Sequence, residues 1–163
     1  MPALKQTLID PQVDSVEIDE MCVSFQTKSN KLWLWLAVSR YTGQILSARL
    51  GDRGAGSLGA LWDDVPQRYH RRLVYTDGYV VYAQFFSTWQ HRRCEKGDGG
   101  TCTAEGVNNA LRQRGANLVR RCCSLARNLD RFWDRLLILF HAHNRACQKC
   151  WEHKQIKSTQ LGP

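Results

Sequence analysis

Seven consecutive residues, Leu32-Trp33-Leu34-Trp35-Leu36-Ala37-Val38, form an apolar run bounded by turn chemistry at Lys28-Ser29-Asn30-Lys31 and at Thr42-Gly43. The run is far too short for a membrane span, which needs roughly 18 apolar residues. It has no polar face and is rich in aromatics, so it reads as a strand buried on both sides. A strand of that kind needs neighbours in its sheet and a layer over each face. The flanking segments supply the neighbours. Val16 to Phe25 sets Val16 and Ile18 on one face and Glu17 and Asp19 on the other, and Gln44 to Leu50 follows the second turn. Three strands joined by two tight turns make an antiparallel meander.

After Gly51-Asp52-Arg53-Gly54 the pattern changes. Ser57 to Tyr69 has helical spacing at Leu58, Leu61, Trp62 and Val65, limited by Pro66. Leu73 to Thr76 reads as a short strand stopped at Asp77-Gly78, Tyr79 to Phe86 as a helix, and Thr88 to Cys94 as a strand. Lys96 to Gly100 is a loop. From Glu105 to Arg127, Val107, Leu111, Leu118, Cys122 and Leu125 fall on one stripe of a long helix. A last helix spans about Leu129 to His143, and its basic continuation from Asn144 is expected to fray. The order is that of an α/β, ribonuclease-H-like fold: a mixed sheet with an antiparallel three-strand meander, flanked by helices.

The chain has 163 residues, with 43% hydrophobic and 23% charged, which is globular composition. Its net charge of +8 is concentrated. Between Val107 and Lys157 there are eleven Lys/Arg and three acids, 11 − 3 = +8, and the remainder nets zero. A basic block of this kind suits a polyanion, and it also suits a solvated helix face. The first residues lack the apolar stretch of a secretory signal. The seven cysteines are therefore expected to be reduced, in a cytoplasmic protein.

Divalent-metal chemistry on such a sheet needs about three acids from separate elements meeting at one edge. Asp19 lies within the first strand, Asp77 ends the fourth, and Glu105 opens the long helix, where the helix dipole favours its ionised form. Each also has a plain structural reading, and Glu17 or Glu20 satisfies the spatial requirement as well as Asp19. Glu105 lies on the polar face with Asn108, Asn109 and Arg112, away from the apolar stripe.

Several stretches together resemble the insertion-sequence-one family of transposases, in the catalytic subunit of the Asp-Asp-Glu type. They are Glu17-Ile18-Asp19-Glu20-Met21, Leu32-Trp33-Leu34-Trp35, Gly51-Asp52-Arg53, Tyr75-Thr76-Asp77 and Asn108-Asn109-Ala110-Leu111-Arg112-Gln113-Arg114. Leu118-Val119-Arg120-Arg121 follows in order, and His141 to Asn144 echoes the family's His-His-Tyr-Asn ending. The resemblance implies that Asp19, Asp77 and Glu105 are catalytic and hold Mg²⁺ or Mn²⁺. It implies that Asn108, Asn109, Arg112, Arg114, Arg120 and Arg121 contact DNA. The implied organisation is a lead-in over 1–14, a catalytic domain over 15–145 and a basic tail over 146–163. The implied activity is cleavage and strand transfer at insertion-element ends, by a homo-oligomer on DNA, near the nucleoid of a prokaryote.

The sequence also departs from the family. Cys22 stands where the family usually has Trp, and Gly106 where it has Arg after the Glu. Ser124-Leu125-Ala126-Arg127-Asn128 replaces Ser-Phe-Ser-Lys-Ser. The family's N-terminal zinc-finger and helix-turn-helix portion has no counterpart in these 163 residues, and a separately encoded DNA-recognition protein is an expected partner. These departures keep open a catalytically dead DNA-binding remnant or regulator, and a nuclease of the same fold. His141, His143, Cys147 and Cys150 have spacing that permits zinc, but a single Cys-x-x-Cys is a weak signal. Arg53 is a modest candidate for a phosphate contact, and Trp33 and Trp35 read as core.

Overall fold

The computed structural model describes residues 8–9, 14–95, 99–115, 118 and 126–160. The described chain is α/β, with five strands in one mixed sheet: β1 (Val16–Phe25), β2 (Thr27–Ser39), β3 (Ile45–Gly51), β4 (Val74–Thr76) and β5 (His91–Arg93). The spatial order is β3-β2-β1-β4-β5. β1 pairs antiparallel with β2, and β2 with β3; β4 lies parallel to β1, and β5 parallel to β4. The helices are α1 (Ala55–Asp64), α2 (Val80–Phe85), α3 (Cys102–Arg114) and α4 (Leu129–Gln160), with a 3₁₀ turn at Gln67–Tyr69.

The strand alternation sorts side chains into two cores. Val16, Ile18, Trp35, Ala37 and Leu46 pack against α1 and α2 through Leu58, Leu61, Trp62 and Tyr82. Met21, Val23, Leu34, Leu36 and Val38 pack against α3 and α4 through Val107, Leu111, Phe132, Leu136 and Phe140. β2 is thus buried on both faces over Leu34–Val38, as its unbroken apolar run requires. Trp35 is fully buried and donates its indole N–H to the Asp52 carbonyl at 2.8 Å.

Several boundaries differ from those read in the sequence. β2 starts at Thr27, and the chain reverses at Gln26, whose φ is +59°. The turn chemistry of Lys28 to Lys31 falls inside the strand, where the β1–β2 register shifts between Ser24 and Phe25. The helix read over Ser57 to Tyr69, with its end limited by Pro66, stops at Asp64. Val65 is extended ahead of Pro66, as the proline ring demands, and a 3₁₀ turn follows. The helix expected to continue to Arg127 stops at Arg114, because Gly115 leaves helical geometry (φ −114°, ψ 98°). Leu118 still reaches the core, but from a separate turn, and Ala126 bridges to Phe25 at the end of β1. Cys122 and Leu125, the remaining stripe positions, lie outside the described residues. The expected fraying after Asn144 does not occur: α4 is helical to Gln160, a length of roughly 48 Å at 1.5 Å per residue. Asn128 caps its start, accepting the Arg131 N–H at 2.8 Å. Among the described residues no helix is long and apolar enough to cross a membrane, and no disulfide links any cysteine.

Candidate active site

β1 carries three acids in four residues, and the pleat sends them to different environments. Glu17 and Asp19 face α3; Glu20 faces α1 and α2. Glu17 is fully buried. Its Oε2 accepts the Ala104 N–H at 2.8 Å, and Arg40 lies 3.2 Å from its Oε1. Thr101, the residue at the helix start, makes no side-chain cap for α3, so Glu17 caps it from across the fold. Burial raises the Glu17 pKa, opposed by its bonds to Ala104 and Thr103 and by the Arg40 charge.

With α3 held there, its buried positions Ala104, Asn108 and Leu111 face the sheet. Asn108 donates to Asp19 Oδ2 at 2.6 Å, and Asp19 Oδ1 accepts the Glu20 N–H at 2.9 Å. Burial, followed by the Glu20 charge, raises the Asp19 pKa to about 6; Asp77 adds to the rise, while Asn108 and the Glu20 N–H oppose it. Asn108 Oδ1 is buried with no hydrogen-bond partner among the described residues.

Asp77 follows β4. The parallel ladder pairs Val16 with Val74 and Glu17 with Tyr75 and ends there; counting the same register on by two sets Asp77 opposite Asp19. Asp77 is exposed and accepts the Tyr79 N–H at 2.9 Å. Gly78 leaves room for the Arg93 guanidinium, since a Cβ there would lie 2.9 Å from its Nη2.

Glu105 stands apart. It is exposed on the first turn of α3 and accepts the Thr101 hydroxyl at 3.1 Å. Along this helix Asn108, and not Glu105, turns toward Asp19. Asn109 and Arg114 are exposed, and Arg112 is half-buried with its Nε unpartnered among the described residues. Arg120 and Arg121 lie outside the described residues. No three His, Cys, Asp or Glu side chains gather to hold a metal among the described residues, either at this edge or at His141 to Cys150. His143 bonds the Gly43 carbonyl at 2.8 Å, with Cys147 Sγ 3.4 Å from the same nitrogen.

The donor set nonetheless suits a hard cation. Asp19 on the central strand β1 and Asp77 just after the adjacent β4 are carboxylates, Asp19 lies next to Glu20, and Asn108, bonded to Asp19 through Nδ2, has an unsatisfied buried Oδ1. Mg²⁺ is commonly held by one or two carboxylates together with water and substrate phosphate.

Sequence reasoning missed the roles of Glu17 and Glu20, although both stood beside Asp19 in the motif. It also missed Asn144, in the ending that resembles the family's. Its side chain accepts the Ile45 N–H at 2.8 Å and donates to the Ile45 carbonyl at 2.9 Å, clamping the edge strand.

The family model described as IS1 transposase matches residues 13–144. No curated protein matches the chain.

Proposed function

Because this chain belongs to the IS1 transposase family over residues 13–144, and therefore to a family that acts in transposition, we propose that it cleaves and joins DNA at the ends of a mobile element with Asp19, Asp77 and Glu105. The fold implied is ribonuclease-H-like, and the substrate is DNA. The observation that carries this reading is the pairing of Asp19 with Asp77. Asp19 lies on β1 and Asp77 directly follows the parallel β4, opposite Asp19 when the ladder's register is counted on by two, and Asp19 holds its proton more tightly because it is buried and negative charge lies near it.

Asp19 and Asp77 would hold Mg²⁺ or Mn²⁺. When bound, such an ion stabilises charge on the phosphoryl oxygens and activates the attacking oxygen. Asn108 orients the Asp19 carboxylate through its 2.6 Å bond, and Glu17 keeps α3 where that bond can form. Glu105 would leave Thr101 and turn toward the two aspartates when DNA arrives. Asn109, Arg112, Arg114, Arg120 and Arg121 would contact the DNA backbone. A homo-oligomer and a separate DNA-recognition protein complete the expected assembly.

The outward position of Glu105 and the glycine beside it favour a second reading, a DNA-binding chain that does not cut. A cleavage assay on element-end DNA decides between the two. Asp19→Asn, Asp77→Asn and Glu105→Gln are each expected to abolish metal-dependent cleavage while the protein stays folded. Full cleavage in any one variant removes that residue from the site. Joining of the 3′-OH end to a second duplex separates a transposase from a nuclease.

A further inference from the structure

The β1–β4 ladder stops two residues short of the aspartates. β4 has three residues, and its paired positions with β1 are Val16–Val74 and Glu17–Tyr75. Asp77 therefore sits beyond the backbone bonds that would fix it against Asp19. A different connection spans the gap. Arg53, in the turn between β3 and α1, donates to Glu20 Oε1 from Nε at 2.9 Å and from Nη2 at 2.6 Å. Glu20 is the neighbour of Asp19 on β1, nearly buried, and its other oxygen accepts the Tyr82 hydroxyl at 2.5 Å. The Arg53 guanidinium lies between two rings, 4.4 Å from the Trp33 centroid and 4.1 Å from that of Tyr79. Tyr79 in turn donates its hydroxyl to the Arg53 carbonyl at 2.6 Å and its N–H to Asp77 Oδ1.

We propose that Arg53 is a positioning residue that ties the Asp77–Tyr79 segment to β1 and so sets the separation of Asp19 and Asp77. The inference rests on the reading of those two aspartates as the metal-holding pair. The residue type fits the task. A guanidinium is planar, so it stacks on both rings while its fork grips one carboxylate oxygen; a lysine ammonium cannot do both. The pairing also offsets part of the Glu20 charge next to Asp19. Arg53 is not free to serve DNA phosphate in this arrangement, because Glu20 occupies its fork.

The test uses the full chain and begins without metal. In Arg53→Ala the Tyr79 amide, bonded to Asp77, is expected to exchange its hydrogen about tenfold faster, with the β1–β2 amides of Met21 and Leu34 unchanged. Arg53→Lys should recover little of that protection. A Mn²⁺ titration of the same variants should show affinity lowered by about tenfold, the usual scale for a residue that orients a metal ligand. Should Arg53→Ala fail to fold, Tyr79→Phe keeps the ring and removes only the hydroxyl bond, and a severalfold faster Tyr79 amide is again expected. Unchanged Tyr79 exchange in a folded variant overturns the inference, as does reduced DNA affinity with exchange unchanged, which would make Arg53 a phosphate ligand. Faster exchange in a protein whose wild type binds no Mn²⁺ upholds the tether and removes the metal reading instead.

Discussion

Asp19 keeps its proton up to about pH 6 in the folded chain, against an ordinary value of 3.8. Between those values the folded state binds more protons than the unfolded chain, so stability falls as pH rises from about 4 to about 6 and stays lower above. The full shift from 3.8 to about 6 corresponds to as much as about 3 kcal/mol. Asp19→Asn should remove that dependence: in denaturant unfolding the variant gains on wild type as pH rises, and is clearly the more stable at about pH 8. A variant no more stable there would show that the crowding is relieved in solution. In the proposed reaction the same carboxylate must be ionised to take a cation, so metal-dependent cleavage should climb with pH, about tenfold per unit below pH 6, and then level off. Rate measurements from about pH 5 to 8 check this. At this scale the sequence was partly legible. Asp19 and Asp77 stood out because each sits at a chemically suggestive point, a strand interior and an Asp-Gly turn. Glu17 did not, since a carboxylate that caps a helix 87 positions away leaves no local pattern.

Elements were legible where one period dominates. β1 and the start of α4 are observed where alternation and helical spacing put them, and the short strand before Asp77 begins one residue later than read and ends at the same Thr76. The stops were harder. A glycine at position 115 reads equally as a helix interior or an end, and the apolar stripe runs on past it. Within α3, Gly106 is exposed, with open space where a side chain would project. Gly106→Ala should therefore stabilise the protein by roughly 0.5–1 kcal/mol, read as a shift in denaturant midpoint at unchanged m. A destabilised variant would show that the first turn of α3 needs glycine's freedom. α4 and β3 depend on Asn144, which is fully buried and also accepts the Gln44 side-chain N–H at its own carbonyl at 3.2 Å. Asn144→Ala leaves both Ile45 backbone groups without partners, so a loss of about 2–4 kcal/mol is expected. A loss under about 1 kcal/mol would mean that water replaces the clamp.

For the molecule as a whole, charge and chemistry divide along the sheet. Arg112 and Arg114 on α3, and Arg131, Arg135, Arg145, Lys149, Lys154 and Lys157 on α4, belong to the two helices that pack on the Asp19 face. DNA affinity should therefore fall steeply with salt. Replacing Arg131, Arg135 and Arg145 together with Ala should flatten the log–log slope by up to about 0.9 for each phosphate no longer neutralised. An unchanged slope would put the DNA on the α1–α2 side. The Asn144 clamp has a further consequence, in the order of synthesis. Ile45 and Asn144 are 99 positions apart, and Asp19 and Asn108 are 89 apart. At about 5–20 residues per second, the β1–β3 hairpins leave the ribosome several seconds or more before the residues that close their edge and cover their acids. During that interval β3 is an open edge of an apolar sheet, the template on which neighbouring chains pair. Yield of the native protein should then depend on translation speed and chaperone supply more than on its final stability, with the nascent meander as the species at risk.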